Sequence, residues 1–134
     1  MKGKEQRLPD YLGHMVEAID RIGAYVGPMD KAGFVANMLV VDAVIRNIEV
    51  IGEASNKVRK HHRAFADEHP EVPWQGCYEM RSVVAHDYFK VDLDIVWETI
   101  KNDLPGMRRD VQALLDRLAR EQGAAAPSSQ GTGD

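Results

Sequence analysis

The chain has 134 residues, enough for one domain around a single core. Its apolar fraction of 44% is ordinary for a soluble globular protein, and no apolar run approaches the length of a membrane span. A net charge of −4 argues against a protein that coats nucleic acid nonspecifically, since that binding rests on phosphate neutralisation, but it leaves room for a small cationic pocket.

The start, Met1-Lys-Gly-Lys-Glu-Gln-Arg7, is polar and leads straight into a helical pattern, so no signal peptide is expected. Apolar residues then recur at helical spacing from Leu8 to Val26: Leu12, Met15, Val16, Ile19 and Ile22 lie between. Gly27-Pro28 ends this helix. Asp30 reads as the N-cap of a second, much longer helix reaching to about Lys60. Within it Gly52 costs about 1 kcal/mol relative to Ala, a cost that suits a close helix crossing. A short extra helix is expected over 61–68, before the His69-Pro-Glu-Val-Pro73 break.

Pro73 occupies a favourable first-turn position for a helix running to about His86. Its Cys77 is the chain's one cysteine, which precludes an internal disulfide and thiolate zinc sites of the usual kind, and fits a reducing cytoplasm. A loop over 87–91 carries Tyr88. Asp92 looks like the next N-cap, with Leu93, Val96, Trp97 and Ile100 on one face. Leu104-Pro105 marks a kink or a break, and the last helix continues through Val111, Leu114, Leu115 and Leu118. From Gly123 on, Gly, Ala, Ser and Pro dominate. The expectation is an all-α, antiparallel bundle of four to five main helices with one long central helix, a domain over 8–121, and a disordered tail over 122–134.

On a wheel of about 100° per residue, Asp42, Arg46, Glu49, Glu53, Asn56 and Lys60 form one polar stripe on the long helix. Apolar residues, Val44 and Ile48 among them, cover most of the rest. A helix apolar over so wide an arc is buried from two sides, either as the central helix of a monomeric bundle or, the favoured reading, against a second copy of the chain. Lys57, Arg59, Lys60 and Arg63 concentrate positive charge near its end, with His61 and His62 between them. They read either as a solvated helix C-terminus complementing the macrodipole or as a patch that steers RNA. Trp74 and Trp97 are expected as core anchors.

The stretch Arg81-Ser-Val-Val-Ala-His86-Asp-Tyr88 carries the chemistry. A guanidinium grips a phosphate in two-pronged fashion and keeps its charge, while an imidazole moves protons near neutral pH. Together they suit phosphodiester cleavage without a metal. On an ideal helix Arg81 and His86 lie about 140° apart, so they share a face only if the helix ends between them or Arg81 reaches around. His86 falls where the pattern stops, at a helix C-terminus that favours the imidazolium.

This segment resembles the R-x4-H-x-Y motif of HepT-like proteins, the toxin halves of HEPN/minimal-nucleotidyltransferase toxin–antitoxin pairs. Further landmarks agree in order and spacing: Ile48-Glu-Val-Ile-Gly-Glu53-Ala54, Pro73-Trp74, Met80-Arg81, His86-Asp-Tyr88-Phe89, Val91-Asp92 and the run from Trp97 to Pro105. The resemblance covers roughly Leu8 to Leu118. One departure is Ser82, where the family usually has Asn.

The resemblance implies a HEPN-type bundle and a homodimer whose two motifs meet across the interface. It implies a metal-independent RNase, with no cofactor, in which Arg81 and His86 are catalytic. Glu53 is a supporting residue that orients Arg81 or His86, Ser82 stands in the Asn position, and Asp87 pairs with Arg81 or, the favoured reading, caps the loop. Tyr88 is the implied acceptor of AMP from a cognate minimal nucleotidyltransferase antitoxin, and the location cytoplasmic. The alternative is a non-cleaving HEPN-like homodimer that serves as the binding subunit of that transferase. Ser82 and the acidic charge favour the alternative; intact Arg81, His86 and Tyr88 favour the enzyme.

Overall fold

Helical spacing at the start of the chain is realised in α1, Leu8–Val26, whose inner face buries Leu12, Met15, Ile19 and Ile22. The structure, a computed structural model, describes residues 7–86 and 91–125, without the side chains of Ser82, Val83, Ala85, His86, Ala124 and Ala125. Pro9 sits in the first turn of α1, where its missing N–H has no helical acceptor to lose. The helix stops at Gly27, whose φ of 51° lies in the left-handed region that a Cβ disfavours. Asp30 then caps as expected, accepting a hydrogen bond from the Gly33 N–H at 2.8 Å.

The helix that Asp30 opens is short. It runs only over Lys31–Ala36 (α2), and the long helix proper is α3, Met38–His61. Between them Asn37 is extended, and its side chain accepts from the Val40 N–H at 3.1 Å. One asparagine thus ends one helix and caps the next, with no glycine or proline to mark the break. The turn lets Phe34 swing inward against Trp97, ring centroids 5.4 Å apart, where it is fully buried. A second short helix, α4 (Arg63–Glu68), follows His62.

α5, Trp74–His86, begins directly after Pro73 and lies antiparallel to α3. The Ser55 hydroxyl donates to the Trp74 carbonyl, tying the end of one helix to the start of the other. Trp74 is buried and its indole N–H donates to the His69 carbonyl at 3.0 Å, which anchors the α4–α5 turn. Asp92 caps α6, Leu93–Glu98, by accepting from the Asp94 and Ile95 N–H groups. Leu104-Pro105 then produces neither a clean break nor a plain α-helix. The chain widens into a π-helical turn over Thr99–Asp103 and continues as α7, Leu104–Ala125. Proline removes a donor and crowds the preceding turn of an α-helix, and a π turn placed there relieves both. α7 extends past residue 121, so 122–125 belong to the helix; 126–134 lie outside the described residues.

The result is an all-α antiparallel bundle, and no strand occurs among the described residues. α3 is its axis, with α1 on one side and α5 on the other, while α7 packs along α1. Val44 and Ile48 are buried within this one chain. The apolar arc of α3 that the sequence assigned to a second copy is therefore largely covered by α1 and α5. What α3 leaves exposed and apolar is Met38 and Leu39 at its start. Among the described residues, no helix is long and apolar enough to cross a membrane.

Candidate active site

Two consecutive residues of α3 form the seat of Arg81. At Gly52 the helices α3 and α5 touch backbone to backbone. A Cβ there would collide with Arg81 Cβ and would come within 2.8 Å of the Cys77 carbonyl and 2.9 Å of Arg81 Cγ. The glycine expected from its helical cost to mark a crossing thus marks this one, and Arg81 is the residue that fills the space. Its neighbour Glu53 reaches the same side chain: Glu53 Oε2 lies 2.7 Å from Arg81 Nε. Nε is buried and makes no hydrogen bond, so the contact is one of opposite charges in close approach, without N–H alignment.

Consequently the guanidinium is gripped from one edge while 29% of the Arg81 side chain remains exposed. An Arg held at Nε keeps its two terminal nitrogens for a second partner, the pair that engages a phosphate in bidentate fashion. Glu53 is itself about half exposed, so the pair is partly screened by water. Of the two partners open to Glu53 in the sequence, the described contact is to Arg81.

His86 is the last residue of α5, as the pattern indicated, five positions after Arg81 on the same helix. The side chains of His86 and Ser82 fall outside the description, as do Asp87 and Tyr88 altogether. The basic cluster sits at the end of α3 and the start of α4. Lys57 and Lys60 are exposed; Arg59 donates to the Asn56 side chain at 2.9 Å and lies over the Tyr78 ring, 5.8 Å from its centroid. Arg63 pairs loosely with Asp67, 3.8 Å away. Tyr78 is one turn before Arg81 on α5, so the Arg59–Tyr78 contact joins the cluster to the helix that carries the motif. Helical phase could have suggested this link, but only with the α3–α5 register known.

Sequence reasoning also passed over the other flank of α5. Cys77 Sγ lies 3.7 Å from Met107 Sδ, at the bottom of a groove of about 460 Å³ between α5 and α7. Burial pushes the Cys77 thiol up to about 11, which makes it an inert packing group and a poor nucleophile.

Comparison with known proteins shows the family. Residues 15–114 match the family model "Ribonuclease HepT-like". "Probable ribonuclease HepT" of Thermococcus cleftensis is 34% identical over 105 residues, covering 78% of this chain and 93% of that protein. "Putative RNase TTE0752" of Caldanaerobacter subterraneus is 31% identical over 107 residues, covering 80% and 93%. "Gamma-glutamylcyclotransferase and putative RNase MJ0434" of Methanocaldococcus jannaschii is 32% identical over 112 residues, 84% of this chain, which spans about half (49%) of that longer protein. No solved structure matches. With a matching family model over most of its length, and relatives of this identity and coverage, the chain belongs to the HepT-like ribonuclease family.

Proposed function

We propose that the protein is a metal-independent RNA endonuclease acting as the toxin of a toxin–antitoxin pair. The observation that carries this reading is the seat of Arg81: stem on Gly52, Nε against Glu53, five residues before a histidine that ends the same helix. In the reaction His86 takes the proton of a ribose 2′-hydroxyl. The 2′-oxygen attacks the adjacent phosphorus, the bond to the 5′-oxygen breaks, and the leaving oxygen receives a proton from an imidazolium. The products are a 2′,3′-cyclic phosphate and a 5′-hydroxyl end. Arg81 stabilises the charge on the phosphoryl oxygens. One imidazole cannot hold and lack a proton together, so two copies of the chain meet at one cleft. A homodimer supplies one histidine as base and the other as acid. DNA, lacking the 2′-hydroxyl, is inert. Lys57, Arg59, Lys60 and Arg63 draw RNA towards the cleft.

The partner is a minimal nucleotidyltransferase. The Tyr88 phenolic oxygen attacks the α-phosphorus of ATP, pyrophosphate departs, and the phenol proton passes to a base on the transferase. The AMP then brings bulk and negative charge two residues from His86. Ser82, in the motif position where the resemblance implies Asn, favours a second reading, a homodimer that binds the transferase without cleaving RNA.

Expression of wild-type and His86→Ala chains without the partner, followed by mapping of RNA ends, separates the two readings. The nuclease reading expects new cyclic-phosphate ends with wild type and none with His86→Ala, at unchanged melting temperature. Equal cleavage by both chains, or cleavage abolished by EDTA, would overturn the mechanism. No cleavage by either chain would leave the binding subunit standing in its place.

A further inference from the structure

Two contacts of charged side chains cross from α3 to α5, and the first of them is the Glu53–Arg81 pair. Six residues further along α3, Arg59 lies over the Tyr78 ring, its guanidinium carbon 5.8 Å from the centroid. The helices are antiparallel, so a step forward on α3 is a step back on α5, and Tyr78 precedes Arg81 by three residues. Residues three apart on a helix are neighbours, with Cβ atoms about 5–6 Å apart. Asn56 stands between Glu53 and Arg59 on α3, and its Oδ1 accepts from Arg59 at 2.9 Å, which holds the guanidinium in place. Arg59 has no carboxylate partner among the described residues, so its charge is not neutralised there. A tyrosine that only filled the space between the helices would be buried, as Cys77 and Val84 of the same helix are. Tyr78 and Arg59 are instead both partly open.

An accessible aromatic ring beside an unneutralised guanidinium suits a flat, π-rich group carried on an anionic backbone. Unpaired nucleobases stack on aromatic rings and on Arg planes alike. A nucleotide whose phosphate is held by Arg81 has its base within reach of a side chain one turn away. We infer that Arg59 and Tyr78 form a stacking subsite for one unpaired base of the RNA, beside the scissile phosphate. The inference rests on the RNA reading above and adds the place where a base of the substrate lies. Stacking tolerates every base but strengthens with the size of the π-face, so a purine is preferred to a pyrimidine. Lys57 and Lys60 are exposed near Arg59 and form no ion pair among the described residues; they take adjoining phosphates. Paired RNA is a poor substrate, because its bases are already stacked within the duplex.

Fluorescence anisotropy of the full chain with short labelled 2′-O-methyl strands tests the subsite, since a capped 2′-oxygen cannot attack and the probes stay intact. Oligoadenylate should bind more tightly than oligouridylate, and both more tightly than an abasic strand of equal length. Tyr78→Leu should weaken oligoadenylate by about tenfold, the loss of one stacked base, and leave the abasic strand unchanged. Tyr78→Phe keeps the ring and should bind like wild type, whereas Lys60→Gln should weaken all three probes alike. NMR of the wild-type chain needs no variant: oligoadenylate should move the Tyr78 ring protons upfield, and the abasic strand should not. In cleavage, Tyr78→Leu should raise KM and flatten a purine preference at one position beside the cut, while kcat holds. A chain that binds in this order yet cuts no RNA would end the nuclease reading and keep the subsite. A chain that cuts RNA but binds all three probes alike would end the subsite and keep the nuclease. The subsite also falls if no strand binds, if Tyr78→Leu loses abasic and adenylate strands equally, or if the Tyr78 ring signals stay in place.

Discussion

Where α5 crosses α3, the two backbones touch through Gly52 and nothing fits between them; where α5 faces α7, a groove of about 460 Å³ opens beside the Cys77–Met107 sulfur–sulfur contact. One helix thus has a flank with no tolerance for added atoms and a flank with room for a ligand. The closed flank holds Arg81 in a defined place, and the open flank holds no residue of the proposed reaction. Close packing is confined to the side where a charged side chain must be aimed, and looser packing is found where aim does not matter.

The sharpest way to break this contrast is Gly52→Ala. In an isolated helix the added methyl would stabilise by about 1 kcal/mol. Here it must displace Arg81 and the Cys77 carbonyl, and overpacking of that kind costs about 1–3 kcal/mol or more. Overpacking should win, so the urea midpoint should fall and the Arg81 guanidinium should shift. A midpoint unchanged or raised would show that α3 and α5 part easily and that the crossing is not closed.

A smaller effect sharpens the open side. With its pKa pushed up to about 11, Cys77 holds roughly a thousandth of its thiols as thiolate at pH 8. Iodoacetamide should therefore label the native chain about a hundredfold more slowly than the urea-unfolded chain. Labelling at comparable rates would mean that the groove opens to its floor in solution.

Smallest of all is the tie that keeps α7 on α1. Arg108 and Asp20 pair through two hydrogen bonds, 2.7 and 3.2 Å, and the Arg108 hydrogen bond holds the Asp20 carboxyl below its usual range. A depressed carboxyl contributes stability above the unfolded pKa of about 4 and loses it as pH falls through the lower folded value. Both side chains are roughly half exposed, so the contribution is slight. Asp20→Asn should melt a little below wild type at pH 7, less so at high salt, and the gap should narrow as pH falls below about 4. A gap that widens in acid would reverse the sign assigned to this pair.

Much of the fold was legible in the sequence because single residues announced it. The spacing from Leu8 to Val26, the cap residues Asp30 and Asp92, and the tryptophans at 74 and 97 each act through local rules and land where those rules place them. Asn37 was not legible: the apolar pattern runs on around it, and only the inward turn of Phe34 gives the break its purpose. The π turn at Thr99–Asp103 was reduced to a choice between kink and break for a similar reason, since Pro105 says that an α-helix is disturbed but not how. For the site, the resemblance implied that Glu53 orients Arg81 or His86, and its carboxylate lies 2.7 Å from Arg81 Nε. The width of the apolar arc on α3 does not by itself call for a second copy, because Val44 and Ile48 are buried by helices of the same chain. His86, Ser82, Asp87 and Tyr88 stand where the motif puts them in sequence, beyond the described side chains.

The two tryptophans turn the molecule into its own optical instrument. Trp74 stands at the α3–α5 junction, its indole tied to the His69 carbonyl, while Trp97 lies between Phe34 and the Lys101 ammonium on α6. The two indoles sit among different neighbours. Replacing either one with Phe isolates the emission of the other, so loosening at the Arg81 seat and detachment of α2 from α6 can be watched separately, without attaching a dye.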